Sequence, residues 1–456
     1  AQQQIAYAWD PRDGNLLCQG VRGSGTTTAL ATAAVALAHA HPPHALHLYV
    51  VASDGDALTG LAALPHVGAV ASAVERERQE RLLRHLADEL QRRRSALHAD
   101  APLTVLLVDD LDGFATVFDP IDDLAVHEQL RRLAAEGPAA GIVVALTAPR
   151  LGAVPPGLAA VFSHRLLLRL PDRFDYATVG LHGDDLPPPL PGRAVDTTSL
   201  RHMQLALPSP EGLEAAVQAV AQRWGGRRAG GEPVGIGILP TRVRSADLTT
   251  AADLDRADWH LPVGIGDRSL TPVGFRLGPG EAALVAGPPR SGKSALLVAL
   301  ARVVTMQRPE VEVAAIALRG SPLGGLADVD RLATDHDHVE RMLTALTTGD
   351  REVLLLVDDA ELVDGPGERL RGILEQRPAH LRIVAAGRSA ALRGAYGHWT
   401  TVVRRSRHGL ALRPQLAADG DLWDVTLPRA PAGGYPVGRG YLVVGGEVEL
   451  VQAAGG

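Results

Sequence analysis

Gly287-Pro288-Pro289-Arg290-Ser291-Gly292-Lys293-Ser294 is the stretch whose reading decides the fold. Its spacing is G-x-x-x-x-G-K-[ST], the phosphate-binding P-loop. Main-chain N–H groups cradle phosphate there, an ammonium reaches the β/γ oxygens, and a hydroxyl holds Mg²⁺. The flanks agree with this reading. Ala282-Ala283-Leu284-Val285-Ala286 reads as a buried strand, and the apolar run 295–300 reads as a helix opening behind the loop. A helix N-terminus at that point adds partial positive charge to the cradle. Lys293 is also the only lysine in 456 residues; every other member of the 45 Lys and Arg is arginine. A compact point charge, not a planar fork, stands at this one position.

Composition sets the bounds. A chain of 456 residues exceeds one ordinary core and predicts two or three domains. Hydrophobic content of 46% with 21% charged residues is that of a globular protein. The net charge of −7 argues against a protein that coats nucleic acid, while leaving room for a local basic channel. The single cysteine, Cys18, excludes an internal disulfide and predicts a reducing, cytoplasmic setting. No apolar run approaches the roughly 20 residues that span a bilayer. The opening Ala1-Gln2-Gln3-Gln4 has no signal-peptide pattern and no initiator Met, which predicts a piece of a longer protein anchored upstream.

Working outward, the decisive stretch has an earlier counterpart. Gly20-Val21-Arg22-Gly23-Ser24-Gly25-Thr26-Thr27 has the same shape and runs into a helical pattern, with Thr26 in place of the lysine. Leu103-Thr104-Val105-Leu106-Leu107-Val108-Asp109-Asp110 and Leu354-Leu355-Leu356-Val357-Asp358-Asp359 are apolar strands ending in paired carboxylates. This is the Walker B pattern, in which the first acid orders the Mg²⁺ shell and the second polarises water. Further buried strands follow at 141–147 and 381–387, then Pro191-Gly192-Arg193-Ala194 and Val437-Gly438-Arg439-Gly440. The interval from Asp109 to Arg193 nearly equals that from Asp358 to Arg439. Strands alternating with helices imply parallel, right-handed βαβ units. The fold class expected is therefore α/β: two tandem RecA-like P-loop NTPase domains with mainly parallel central sheets and flanking helices. The boundaries expected are 1–225 for the first domain, 226–231 for a Gly/Arg-rich linker, and 232–456 for the second. A helix over 75–94 carries Leu82, Leu86 and Leu90 on one face. Its Glu77/Arg81, Glu80/Arg84 and Asp88/Arg92 pairs are expected on a solvated one.

The tandem P-loops, the paired aspartates and the terminal Gly-Arg-Gly…Val-Gln element resemble the FtsK/SpoIIIE-type translocase ATPases. Leu64-Pro65-His66-Val67-Gly68-Ala69-Val70 and Arg393-Gly394-Ala395-Tyr396-Gly397-His398-Trp399 look like phrases of the EccC/EssC branch, the motor ATPases of type VII (WXG100) secretion. The resemblance covers essentially the whole chain and implies the last two ATPase modules of a longer protein. It implies a motor at the cytoplasmic face of the inner membrane, held there by upstream segments, that assembles into a ring, a hexamer in the family. It also implies recognition of secreted WXG100-type proteins through C-terminal signals. ATP and Mg²⁺ are the cofactors implied.

In the second domain, Gly287, Pro288, Pro289, Arg290, Ser291, Gly292, Lys293 and Ser294 are expected to bind nucleotide. Ser294 and Asp358 are expected to hold Mg²⁺, and Asp359 to orient water. Better hydrolysers in the family carry Glu at the last position. The shorter Asp predicts slow or conditional turnover. In the first domain Gly20, Gly25, Thr26, Thr27, Asp109 and Asp110 form a degenerate site. Without an ammonium it reads as a relic that closes a strand-to-helix turn, in preference to a weak regulatory site. Arg193, Arg388 and Arg439 are the candidate arginine fingers. Arg404-Arg405-Ser406-Arg407 reads as a solvated or intersubunit patch, and Asp335-His336-Asp337-His338 as a helix start, not a metal tract. Two rival functions fit less well: a double-stranded DNA translocase, which the acidic balance disfavours, and a pseudo-ATPase adaptor that docks partner peptides.

Overall fold

The computed structural model describes residues 5–52, 57–95, 101–183, 186–225, 231–255, 257–349, 351–428, 430–431 and 433–455. The chain divides into two units, Ala1–Gly237 and Ile238–Gly456. The expected linker falls largely on residues 226–230, outside the described residues. The division lies later than the composition suggests, because residues 234–237 are bound to the first unit. Tyr49 Oη donates to Val234 O (3.2 Å), Ile236 N–H to Gly68 O (3.3 Å) and Arg78 Nε to Ile236 O (2.9 Å).

Among the described residues the first unit holds eight strands: β1 (Leu16–Gln19), β2 (Leu46–Ala52), β3 (Val67–Ser72), β4 (Leu103–Asp109), β5 (Ile142–Ala148), β6 (His164–Leu167), β7 (Arg193–Asp196) and β8 (His202–Gln204). Their order across the sheet is β3-β2-β4-β5-β1-β6-β7-β8. The first six pair in parallel, and the β7–β8 hairpin adds antiparallel to β6. Strand β5 is buried along its whole length and β4 from Thr104 onward, as strands covered on both faces must be. Helix α1 (Thr26–Ala40) follows the degenerate loop and packs its Leu30, Ala34 and Ala38 face onto the sheet. Helix α2 (Arg76–Ser95) buries Leu82, Leu86 and Leu90 on the opposite sheet face. Its charged side is not simply solvated. Arg81 and Arg93 are buried, Arg81 donating to Gly237 O and Arg93 to the Ala140 and Gly141 carbonyls. Spacing alone reports neither partner, because both come from distant chain.

The second unit begins with an antiparallel pair, β9 (Trp259–Gly266) and β10 (Pro272–Leu277). It continues with β11 (Ala282–Ala286), β12 (Glu312–Ala317), β13 (Arg331–Ala333), β14 (Val353–Asp358), β15 (Leu381–Gly387), β16 (His408–Leu412), β17 (Arg439–Val444) and β18 (Glu447–Ala453). The order is β10-β9-β18-β17-β16-β11-β15-β14-β12-β13. From β13 to β18 it repeats the first unit strand for strand, and β9 and β10 extend the far edge. Helix α3 (Lys293–Gln307) leaves the P-loop with nine buried residues, consistent with its nearly uniform apolar sequence. A buried arginine, Arg382, is satisfied by Glu352 (3.1 Å) and by the Leu277 and Ala257 carbonyls, and its guanidinium lies over the Trp259 ring at 4.0 Å. Burial pulls its pKa down, and Glu352 opposes that shift.

Candidate functional site

Both phosphate loops are built the same way. The glycine opening each loop has no room for a side chain: a Cβ at Gly20 would lie 2.6 Å from Ser24 Oγ, and one at Gly287 would lie 2.5 Å from Ser291 Oγ. The glycine before each helix is left-handed, Gly25 at φ 108° and Gly292 at φ 104°. At the loop tip the first unit has Gly23 at φ 76°, where the second forces Arg290 to φ 61°. The terminal hairpin then clamps each loop from behind. Gly192 N–H donates to Ser24 O (2.7 Å), and Gly438 N–H to Ser291 O (3.0 Å). Behind those glycines sit Gln204 and Gln452, whose amide nitrogens donate to Pro191 O (3.3 Å) and Val437 O (2.9 Å). The recurring Gly-Arg…Gln element thus serves to hold the loop.

In the second unit Lys293 is the first residue of α3 and is largely buried. Its Nζ donates to Gly287 O (3.0 Å) and Pro288 O (2.9 Å), which folds the ammonium back over the loop. Desolvation lowers its pKa, while Glu361, then Asp358 and Asp359, favour the charged form and Arg388 opposes it. Asp358 ends β14 and is buried. It accepts from Ser321 Oγ (2.7 Å) and from the N–H of Asp359 (3.1 Å). Asp359 bends the chain at φ 47°, a conformation Asp tolerates better than most residues. Ser294 follows Lys293 on α3 and makes no hydrogen bond to Asp358 among the described residues. A hydroxyl, a buried carboxylate and an ammonium around a glycine-rich loop fit Mg²⁺ and a polyphosphate.

In the first unit Thr27 Oγ1 lies 3.1 and 3.0 Å from the two Asp109 oxygens, and Thr147 Oγ1 donates to Asp109 Oδ1 (2.7 Å). The N–H of Asp110 donates to Thr147 Oγ1 (2.8 Å), and Asp110 turns at φ 63°. Hydroxyl and Walker B acid are therefore already joined. Thr26 leaves a cavity of about 280 Å³ lined by Gly20, Arg22, Gly25, Thr27, Asp109 and Pro191. The degenerate loop is an open cleft, and neither side chains nor backbone have filled it. Cys18, next to this site on β1, is fully buried, and burial pushes its thiol up to about 12.

The three candidate fingers differ in placement. Arg439 is 3% exposed; its Nε donates to Gln452 Oε1 (2.9 Å) and its Nη2 to Pro240 O (3.1 Å). It is a tie within its own unit, and a finger reaching a neighbour would have to abandon those bonds. Arg193 stands at the matching place on β7, partly buried and paired in register with Gln204. Arg388 alone is half exposed, just past β15 and beside Glu361. Sequence reasoning missed Glu361, Ser321 and Thr147 as partners of these groups. Thr147 announces itself only as a polar tip on an apolar strand, and Ser321 only as a polar residue after β12. Asp335 caps its helix by accepting from His338 N–H (2.8 Å), and Arg404 turns inward to Leu392 O.

Two successive units of strand, phosphate loop, helix and acid-tipped strand on a mainly parallel sheet define a tandem P-loop ATPase fold. Residues 2–180 match the model of the FtsK/SpoIIIE family. The chain is homologous to the ESX-4 secretion system protein EccC4 of Mycobacterium tuberculosis, 28% identical over 494 residues, covering 97% of this chain and 38% of that protein. The ESX secretion system protein YukB of Bacillus subtilis is 24% identical over 504 residues, covering 99% of this chain and 33% of its own length. The chain thus spans 33–38% of the length of these relatives. Among solved structures, ATPases 2 and 3 of Thermomonospora curvata EccC, in complex with a signal sequence peptide, share the fold with a TM-score of 0.72. Identity there is 21%, and coverage is 100% of this chain and 91% of that one.

Proposed function

We propose that this chain is an ATP-binding and ATP-hydrolysing motor module of a type VII secretion system. The observation that carries the proposal is the intact constellation of Lys293, Ser294, Asp358 and Asp359 in a chain homologous to EccC4 over nearly its whole length. On this reading the second unit binds Mg·ATP: Lys293 leaves its loop carbonyls for the β/γ oxygens, and Ser294 and Asp358 hold the metal. When bound, Mg²⁺ would neutralise charge developing on the phosphates. Asp359 orients water, and its short side chain keeps turnover low until assembly supplies further charge. Nucleotide binding is coupled to recognition and translocation of WXG100-type substrates through a C-terminal signal, in a ring at the cytoplasmic face of the membrane. A T. curvata relative was solved with a signal sequence peptide, which supports the substrate part of this reading. Among the described residues no helix is long and apolar enough to cross a membrane. The test is calorimetric titration with Mg·ATPγS. Binding by the wild type that disappears in Lys293→Ala is expected; equal binding by both sinks the assignment.

A further inference from the structure

Residues 388–407 join β15 to β16, and residues 149–163 join β5 to β6 in the first unit. The connection in the second unit is the longer, and it carries Gly394-Ala395-Tyr396-Gly397. Tyr396 is 93% exposed, and its side chain makes no hydrogen bond or ring contact among the described residues. The turn that presents it is nonetheless braced on both sides. Arg371, on the helix Gly367–Gln376, donates to Gly397 O, and Arg404 donates to Leu392 O. Trp399 is buried, packed so closely on Gly367 that a Cβ there would meet its Cδ1 at 2.8 Å. Thr401 Oγ1 donates to His398 O (2.7 Å), and the His398 ring lies 5.7 Å from that of Trp399. Gly397 turns the chain at φ 79°. A Cβ at Gly394 or Gly397 would meet nothing within 4 Å, so the space on either side of the tyrosine is open. Burial accounts for Trp399, whereas no contact of the fold uses the Tyr396 ring. Ala286 and Gly387 are register partners at the ends of parallel β11 and β15. The connection therefore leaves the sheet on the edge from which the phosphate loop springs.

We propose that Tyr396 is a contact point for an extended polypeptide, the second unit's hold on the chain that the motor moves. The inference rests on the reading of this protein as a secretion motor. A tyrosine on a braced turn offers a large, flat, amphipathic surface at little entropic cost, since only two side-chain torsions need be fixed. Such a ring packs on peptide groups and apolar side chains without reading their sequence, which suits a segment drawn past it. Nucleic acid also stacks on aromatic rings, but it needs free cations for its phosphates. The guanidinium groups of Arg371, Arg393 and Arg404 around the turn are already directed to Gly397 O, Asp419 and Leu392 O. Asp364 beside His398 and Glu368 beside Arg371 add negative charge there, with side chains 83% and 79% exposed. The setting favours polypeptide over DNA.

The test places the photo-crosslinking residue p-benzoylphenylalanine at position 396 of the whole chain. The same residue in place of Val74, 92% exposed in the first unit, controls for exposure alone. The probes are reduced, carboxymethylated α-lactalbumin, which is permanently unfolded, and a short DNA duplex. Fluorescence anisotropy gives their affinities for the wild type, Tyr396→Ala and Tyr396→Phe, and calorimetry with Mg·ATPγS runs beside it. Cross-linking to the unfolded polypeptide from position 396, and not from position 74, is expected. Tyr396→Ala is expected to weaken polypeptide binding about tenfold and Tyr396→Phe by less than about twofold, with ATPγS affinity unchanged. Equal polypeptide affinity in the wild type and Tyr396→Ala, or equal cross-linking from both positions, overturns the proposal. Cross-linking only to a second copy of the chain makes the tyrosine a subunit contact, and cross-linking only to the duplex makes it a DNA contact; either overturns the proposal. A wild type that binds no unfolded polypeptide overturns it as well. The nucleotide reading is judged separately: ATPγS binding that persists in any of these cases leaves the Lys293 assignment standing.

Discussion

At the scale of single residues, the two loops differ by one charge on nearly identical backbone. Lys293 bonds to the carbonyls of Gly287 and Pro288, whose counterparts in the first unit are Gly20 and Val21. The cavity beside Thr26 is open, and Thr27, Asp109 and Thr147 are already joined. In the first unit the missing part is the ammonium, and the cradle is present. Thr26→Lys in a Lys293→Ala background is expected to bind Mg·ATP measurably, with a melting temperature close to that of its parent. Titration beside a thermal melt checks this, and a cooperative, unshifted melt without binding refutes it. Thr147→Val removes a buried donor from Asp109 and is expected to destabilise the first unit by about 1–3 kcal/mol. Urea unfolding provides that measurement.

At the scale of elements, the terminal hairpin decides how well each loop is held. In the second unit β17 and β18 carry Arg439 and Gln452 in register, and Arg439 also reaches Pro240 at the unit's start. Removing the guanidinium strands buried acceptors, so Arg439→Ala is expected to cost about 3 kcal/mol of unfolding free energy. A finger would behave in the opposite way, lowering turnover with stability unchanged. Denaturant melts and steady-state rates on the same variant separate the two. Gly438 is left-handed at φ 80°, and a Cβ there would meet Gln452 Nε2 at 2.6 Å. Gly438→Ala is therefore expected to destabilise by about 1–2 kcal/mol and to loosen the loop's grip on phosphate.

At the scale of the whole molecule, one buried and five half-buried histidines bear on the acid limit. Burial holds His47, His66 and His85 in the first unit, and His260, His398 and His408 in the second, below the ordinary histidine value. The unfolded chain then takes up protons near about pH 6.5 that the folded chain refuses. Stability is complete above that pH and is lost as pH falls through the lower folded-state values. Calorimetry between pH 7.5 and pH 5.5 should show the melting temperature falling, and His47→Gln should flatten the slope. Assembly belongs to this scale as well. If a neighbour supplies a finger, enforced oligomers are expected to hydrolyse ATP about 10³-fold faster per subunit than monomers. Equal rates in the two forms would refute a contribution in trans.

The sequence by itself determined the α/β class, the two-fold repeat and the order of the chemical parts. Apolar strand runs, glycine spacing and terminal acids are local patterns with local physical causes. It marked Lys293, Asp358, Thr27 and Asp109 because their roles depend on position within one motif. Tertiary structure alone decided what meets what across long separations. It assigned residues 234–237 to the first unit through Tyr49 and Arg78, buried Arg439 against Gln452 and Pro240, and set Glu361 against Arg388. An arginine past a strand end reads the same in sequence whether it faces solvent, a carbonyl or a carboxylate. Only the sheet order, which places β15 between β11 and β14, selects among those partners.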